Sequence, residues 1–106
     1  MSFAPMQWQS VVMNSGASES AEIDLKRVFD LLQLDIPALN TCSLSLKAAR
    51  ISGGTFNVLG AASPSVDVGV GSKQDVFKIG GHQFLKLVSS VVQNAARTFY
   101  YRGIAE

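Results

Sequence analysis

The sequence predicts an all-β fold, an antiparallel β-sandwich of about eight strands in a single domain. Two features of the chain predict it. Several segments alternate apolar and polar residues with a period of two, the pattern of a strand with one buried side. Glycine, serine, asparagine and proline separate these segments at intervals of about 8 to 12 residues, as in β-sandwiches. We expect residues 1–16 to form an N-terminal arm and the first strand, and residues 17–106 the body of the sandwich.

The strands are expected at definite places along the chain. Residues 8–14 (WQSVVMN) are expected to form an extended segment, with Trp8, Ser10 and Val12 on one side and Gln9, Val11 and Met13 on the other. Residues 41–50 (TCSLSLKAAR) are expected to form a half-buried strand, because apolar and polar side chains alternate. Two glycine pairs, at 53–54 and 80–81, indicate turns, as does GSKQD at 71–75. The other strands are expected in TFNVL (55–59), VDVGV (66–70), VFKI (76–79), HQFLKLVSSVV (82–92) and RTFYYRGI (97–104).

Residues 21–37 (AEIDLKRVFDLLQLDIP) fit two different structures. Apolar residues recur at helical spacing, acidic residues come early and Pro37 ends the run, which favours a helix. The other interpretation divides the segment after Leu25 into a short strand and a longer buried strand over residues 28–36. Periodicity alone leaves both interpretations open.

The composition argues against several classes of function. The net charge is +1 and no basic run is longer than Lys26-Arg27, so the clustered cations that bind nucleic acid are missing. No apolar segment approaches the ~18 residues of a membrane-spanning helix. Only 16% of the residues are charged, which leaves a neutral surface that a neighbour can cover at small desolvation cost. Cys42 is the only cysteine, as fits a protein assembled in a reducing cytoplasm.

No combination of residues predicts catalysis. Residues 71–74 contain the glycine, serine and lysine of a phosphate-binding loop, but serine precedes lysine and a strand pattern follows. His82 and Cys42 lack a third catalytic partner, and they are too few for a metal site. Asp30 and Asp35 are expected to be solvated rather than paired for acid–base work. We therefore expect no enzymatic activity, no cofactor, no metal and no small-molecule substrate.

Four large side chains are the candidate interface residues. Phe3, Met6 and Trp8 lie close to the N-terminus. Because termini fray unless they are tied down, we expect this arm to cover its own domain or to reach a neighbouring subunit. Tyr100 and Tyr101 point to opposite faces of a regular strand, so one enters the core. We assign Tyr100 to an interface, where aromatic residues are enriched.

Most of the chain, from Ser15 to Arg102, also resembles a group of small structural proteins of tailed phages. The matching motifs occur in the same order along the chain. They are SAEIDL (20–25), IPAL (36–39), LSLKAARISGGTFNVL (44–59), IGGHQFLKLVSS (79–90) and VVQNAARTF (91–99). The chain departs from the group at RISGG (50–54), where the group tends to have a polar turn that contains aspartate.

The resemblance implies a jelly-roll sandwich that is part of a virion, and it implies strands rather than a helix over residues 20–36. The expected function is that of a capsid cement or decoration protein, a homo-oligomer that binds the major capsid protein. It would lie on the capsid surface after assembly in the host cytoplasm. A neck, tail or head-fibre base component is the first alternative. From another class, a carbohydrate-binding module remains open, and it would require exposed aromatic side chains grouped on one face.

Overall fold

The computed structural model describes residues 7–39, 42–58, 66–68 and 73–104. In these ranges the chain forms nine strands and no helix. The strands are β1 (Gln9–Met13), β2 (Ile23–Asp24), β3 (Leu31–Ile36), β4 (Cys42–Ala49), β5 (Asn57–Val58), β6 (Val66–Val68), β7 (Lys73–Lys78), β8 (Phe84–Ser89) and β9 (Arg97–Ile104). Thus none of the described residues lies in a helix that could span a membrane.

The strands form two antiparallel sheets. The first sheet has the order β1-β9-β3-β7, and the second has the order β2-β8-β4 followed by β5 and β6. Since β5 and β6 pair with opposite ends of the same edge of β4, they fill one strand position, and the sandwich has eight positions in all. β9 lies between β1 and β3, while β8 lies between β2 and β4. This interleaving of late strands between early ones is the topology of a jelly roll, which confirms the predicted fold.

A single apolar core fills the space between the sheets. It receives alternate residues from every long strand, as the period-two pattern predicts. The first sheet contributes Val11, Met13, Leu32, Leu34, Ile36, Phe77, Phe99 and Tyr101, and the second contributes Ile23, Leu44, Leu46, Ala48, Leu85 and Leu87.

Residues 21–37 contain two strands and no helix, so the helical interpretation is wrong and the presence of strands, which the phage resemblance implies, is confirmed. The segment supplies β2 to the second sheet and β3 to the first. Lys26 has a φ of 68°, and its amide donates to the Asp24 carboxylate at 2.8 Å, which turns the chain between the sheets. Val28 lies in this crossover and is 65% exposed, so the predicted buried strand begins only at Leu31.

A buried amide joins the two loops at one end of the sandwich. The Gln93 side chain is fully buried and donates to the Ser89 hydroxyl at 3.1 Å. Its backbone amide donates to Ala17, and its carbonyl accepts from Gly16, both in the β1–β2 connection. These bonds fix the β8–β9 loop against the β1–β2 loop, and so they set how β1 pairs with β9.

Candidate protein interaction face

Two of the four candidate interface residues lie together on the outer side of the first sheet. Tyr100 is 49% exposed and points away from the core, whereas its neighbour Tyr101 is buried. Trp8 precedes β1, is 40% exposed and packs against Arg102 of β9. The other two candidates, Phe3 and Met6, lie outside the described residues.

The outer surface around Arg102 and Tyr100 comprises ten side chains, which we call the aromatic face; the next row of the sheet, Ile104, Leu31 and Lys78, lies beyond it. On one row Arg102 is opposite Gln33, which is opposite Val76; on the next row Tyr100 is opposite Asp35. The members are Trp8, Ser10, Val12, Gln33, Asp35, Gln74, Val76, Thr98, Tyr100 and Arg102. Tryptophan, tyrosine and arginine are the residues most enriched among energetically dominant interface contacts.

Arg102 is held in one orientation at the centre of the aromatic face. Its guanidinium carbon lies 4.8 Å from the centroid of the Trp8 ring, a cation–π contact. Its Nε donates to Oε1 of Gln33 at 2.7 Å. These two contacts use the Nε hydrogen and one side of the guanidinium plane, and they leave the N–H groups of the two terminal nitrogens able to form further hydrogen bonds.

The aromatic face also carries one carboxylate, Asp35. In the described part of the chain, the ion pairs join Lys26 to Asp24 and Lys47 to Glu19, and neither Arg102 nor Asp35 has a charged partner. Sequence reasoning missed the importance of both residues. The period of two does place Arg102 on the same side as Tyr100, but only the register of β3 against β9 brings Asp35 beside them.

The outer side of the second sheet differs, because several of its charged groups have partners within the molecule. Lys47 donates to Glu19 at 2.7 Å across this side. Glu22 accepts from the Ser52 hydroxyl at 2.6 Å and from the Gly53 amide at 2.7 Å. Glu22 thus ties β2 to the turn after β4, which is the RISGG turn that departs from the phage pattern. Its polar groups therefore have partners within the molecule.

Hydrogen bonds lower the pKa of each carboxyl group in that arrangement. For Glu19 the main cause is the bond from Lys47, and for Glu22 it is the bond from Ser52. The pKa of Asp24 is lowered chiefly by its bond from the Gln83 side chain. All three carboxyl groups are ionised at neutral pH, and their hydrogen bonds hold the outer side of the second sheet in place.

The residues considered for catalysis do not form a site. His82 lines an open cleft of ≈ 630 Å³ beside Ala49, at one end of β4. Cys42 is at the other end of β4, and seven residues of extended chain separate it from Ala49 by about 23 Å. No group of three or more potential metal ligands occurs among the described residues.

Residues 73–75 of the expected turn at 71–75 belong to strand β7 instead. The glycines of the phosphate-loop pattern, Gly69 and Gly71, lie outside the described residues, as does Ser72. Lys73 begins β7, so a strand stands where a phosphate-binding loop requires the start of a helix.

No protein-family model, curated protein or solved structure matches this chain.

Proposed function

We propose that this chain is a structural protein of a tailed-phage virion, a capsid cement protein that binds and stabilises the shell of the major capsid protein. The observation that carries the proposal is the aromatic face on a jelly-roll sandwich. It combines Trp8, Tyr100 and Arg102 on one outer side of the sandwich. The order of motifs along the chain supports the phage assignment.

The physical basis of such a function is the sum of many weak contacts. A surface with few charges loses little solvation energy when a neighbour covers it. On a symmetric shell each bound copy raises the effective concentration of the next contact, so weak interfaces together give a stable coat. Neither catalysis nor a bound cofactor is needed for this role.

Binding to empty shells tests the proposal. We expect the purified chain to co-sediment saturably with shells of the major capsid protein that lack it. A variant with Phe3→Ser and Met6→Ser should bind about tenfold or more weakly, because the arm then loses its apolar contacts with the shell. Val28→Ser is the matched control, since it removes a side chain that is 65% exposed in the β2–β3 crossover. Absence of the chain from the pellet would reject the cement function.

One observation favours a second candidate, a carbohydrate-binding module. Among the described residues, two large aromatic side chains are exposed, Trp8 and Tyr100. Both lie on the aromatic face, as stacking against a sugar requires. However, Arg102 covers one side of the Trp8 ring. This candidate would be favoured if the chain is retained on polysaccharide, if Tyr100→Ala abolishes that retention, and if the chain does not bind to shells.

A further inference from the structure

We propose that the aromatic face joins two copies of this chain, with Arg102 of each copy paired to Asp35 of the other. The inference goes beyond the shell contact: the neighbour that covers the aromatic face would be a second copy of this chain, and the N-terminal arm that carries Phe3 and Met6 would bind the shell. It rests on three properties of the face: two opposite charges that form no ion pair with any described residue, their relative placement, and the size of the surface.

The two charges lie close together and yet do not pair within one molecule. Arg102 is opposite Gln33, and Asp35 is two residues farther along β3, so the two side chains are diagonal neighbours about 7–8 Å apart. Within one molecule Arg102 bonds to Gln33 and packs against Trp8 instead. Among the described residues each charge therefore still has the capacity for an ion pair.

A second copy satisfies both charges at once. In a twofold symmetric contact, residue i of one copy meets residue j of the other, and residue j of the first meets residue i of the second. Two Arg102–Asp35 pairs would form by the same symmetry operation. An acidic partner of another kind would satisfy Arg102 and leave Asp35 buried without a partner, which is costly.

The same geometry places Tyr100 near the symmetry axis. A twofold axis that brings Arg102 of one copy to Asp35 of the other lies in the plane of the contact. It passes close to Tyr100 and Gln33, because strand register places these two residues at the other corners of a rectangle with Arg102 and Asp35. The Tyr100 rings of the two copies would then meet. Aromatic pairs add roughly 0.5–1.5 kcal/mol beyond the area they bury, which makes Tyr100 the central apolar contact.

The size of the aromatic face indicates a weak dimer. Four strands about 4.8 Å apart and about 17–26 Å long give a surface of roughly 400 Å². Standard interfaces bury about 800 Å² on each partner. We therefore expect association only at high protein concentration, or when copies are held close together on a larger assembly.

Charge reversal tests this contact in the purified chain, without shells. The mean mass of the wild-type chain in sedimentation equilibrium should rise with concentration from 11.3 kDa toward twice that value. Arg102→Asp and Asp35→Arg should each weaken self-association about tenfold or more, because like charges then face each other across the axis. An equimolar mixture of the two variants should associate again, since each charge then meets its opposite.

Controls separate the contact from a folding defect. Arg50→Asp reverses an exposed charge in the turn after β4, off the aromatic face, and should leave self-association unchanged. The double variant Arg102→Asp/Asp35→Arg should associate like the wild type. A wild-type chain that stays at 11.3 kDa up to millimolar concentration would overturn the proposal, as would a mixture that associates no better than either variant alone. Either result leaves the shell-binding test unaffected.

Discussion

Replacement of Phe99 with alanine is expected to lower the free energy of unfolding by about 3–5 kcal/mol. Phe99 is fully buried and lies on β9, between β1 and β3, so a cavity there opens the centre of the core. Domains are commonly stable by only about 5–15 kcal/mol, so this variant should be close to unfolding at physiological temperature.

Urea denaturation followed by tryptophan fluorescence and circular dichroism measures the effect. Tyr100→Ala is the matched control, because it removes an aromatic ring from the next position of the same strand on the solvent side. We expect it to cost less than about 1 kcal/mol, since half of that side chain is already exposed. Equal losses in the two variants would contradict the assignment of inner and outer faces.

A larger residue at Gly103 is expected to be nearly as damaging. A Cβ atom at this position would lie 2.3–2.7 Å from three atoms of the Phe29 ring, closer than carbon atoms can approach. The ring is itself buried in the core and has little room to move. Gly103→Val should therefore destabilise the chain by about 1–3 kcal/mol or more through overpacking.

A double-mutant cycle checks that Phe29 is the cause. In a Phe29→Ala background the space beside Gly103 is open, so Gly103→Ala should cost much less there than in the wild type. The thermal midpoint of each of the four chains gives the coupling. If Gly103→Ala lowers stability equally in both backgrounds, contact with the Phe29 ring is not the reason that position 103 requires glycine.

Local sequence predicted two inner strands directly, β4 by alternation of side chains and β9 by its β-branched and aromatic content, whereas the apolar residues of β3 also fitted a helix. Residues 97–104 form β9 with the predicted bounds, and residues 42–49 form β4. The prediction failed for Lys73, Gln74 and Asp75, which belong to a strand although their composition indicates a turn. β7 is an edge strand of the first sheet, and edge strands tolerate charged side chains, which also protect them from pairing with other molecules.

The aromatic face was predicted only in part. A period of two identifies Tyr100 as outward-facing, and the unusual position of Trp8 near a terminus suggests docking. The relation between Arg102 and Asp35 could not be predicted, because it depends on the register of two strands far apart in the chain. It also depends on which hydrogen bonds Arg102 makes, and a one-dimensional pattern does not contain that information.

The number of copies of this chain in a native particle tests the cement function most directly. Quantitative mass analysis of particles purified from the source of the sequence should give on the order of hundreds of copies, in a fixed ratio to the major capsid protein. A count of about six or twelve would place the chain in a ring at one vertex and contradict the cement function. Its absence from the particles would contradict any structural role in the virion.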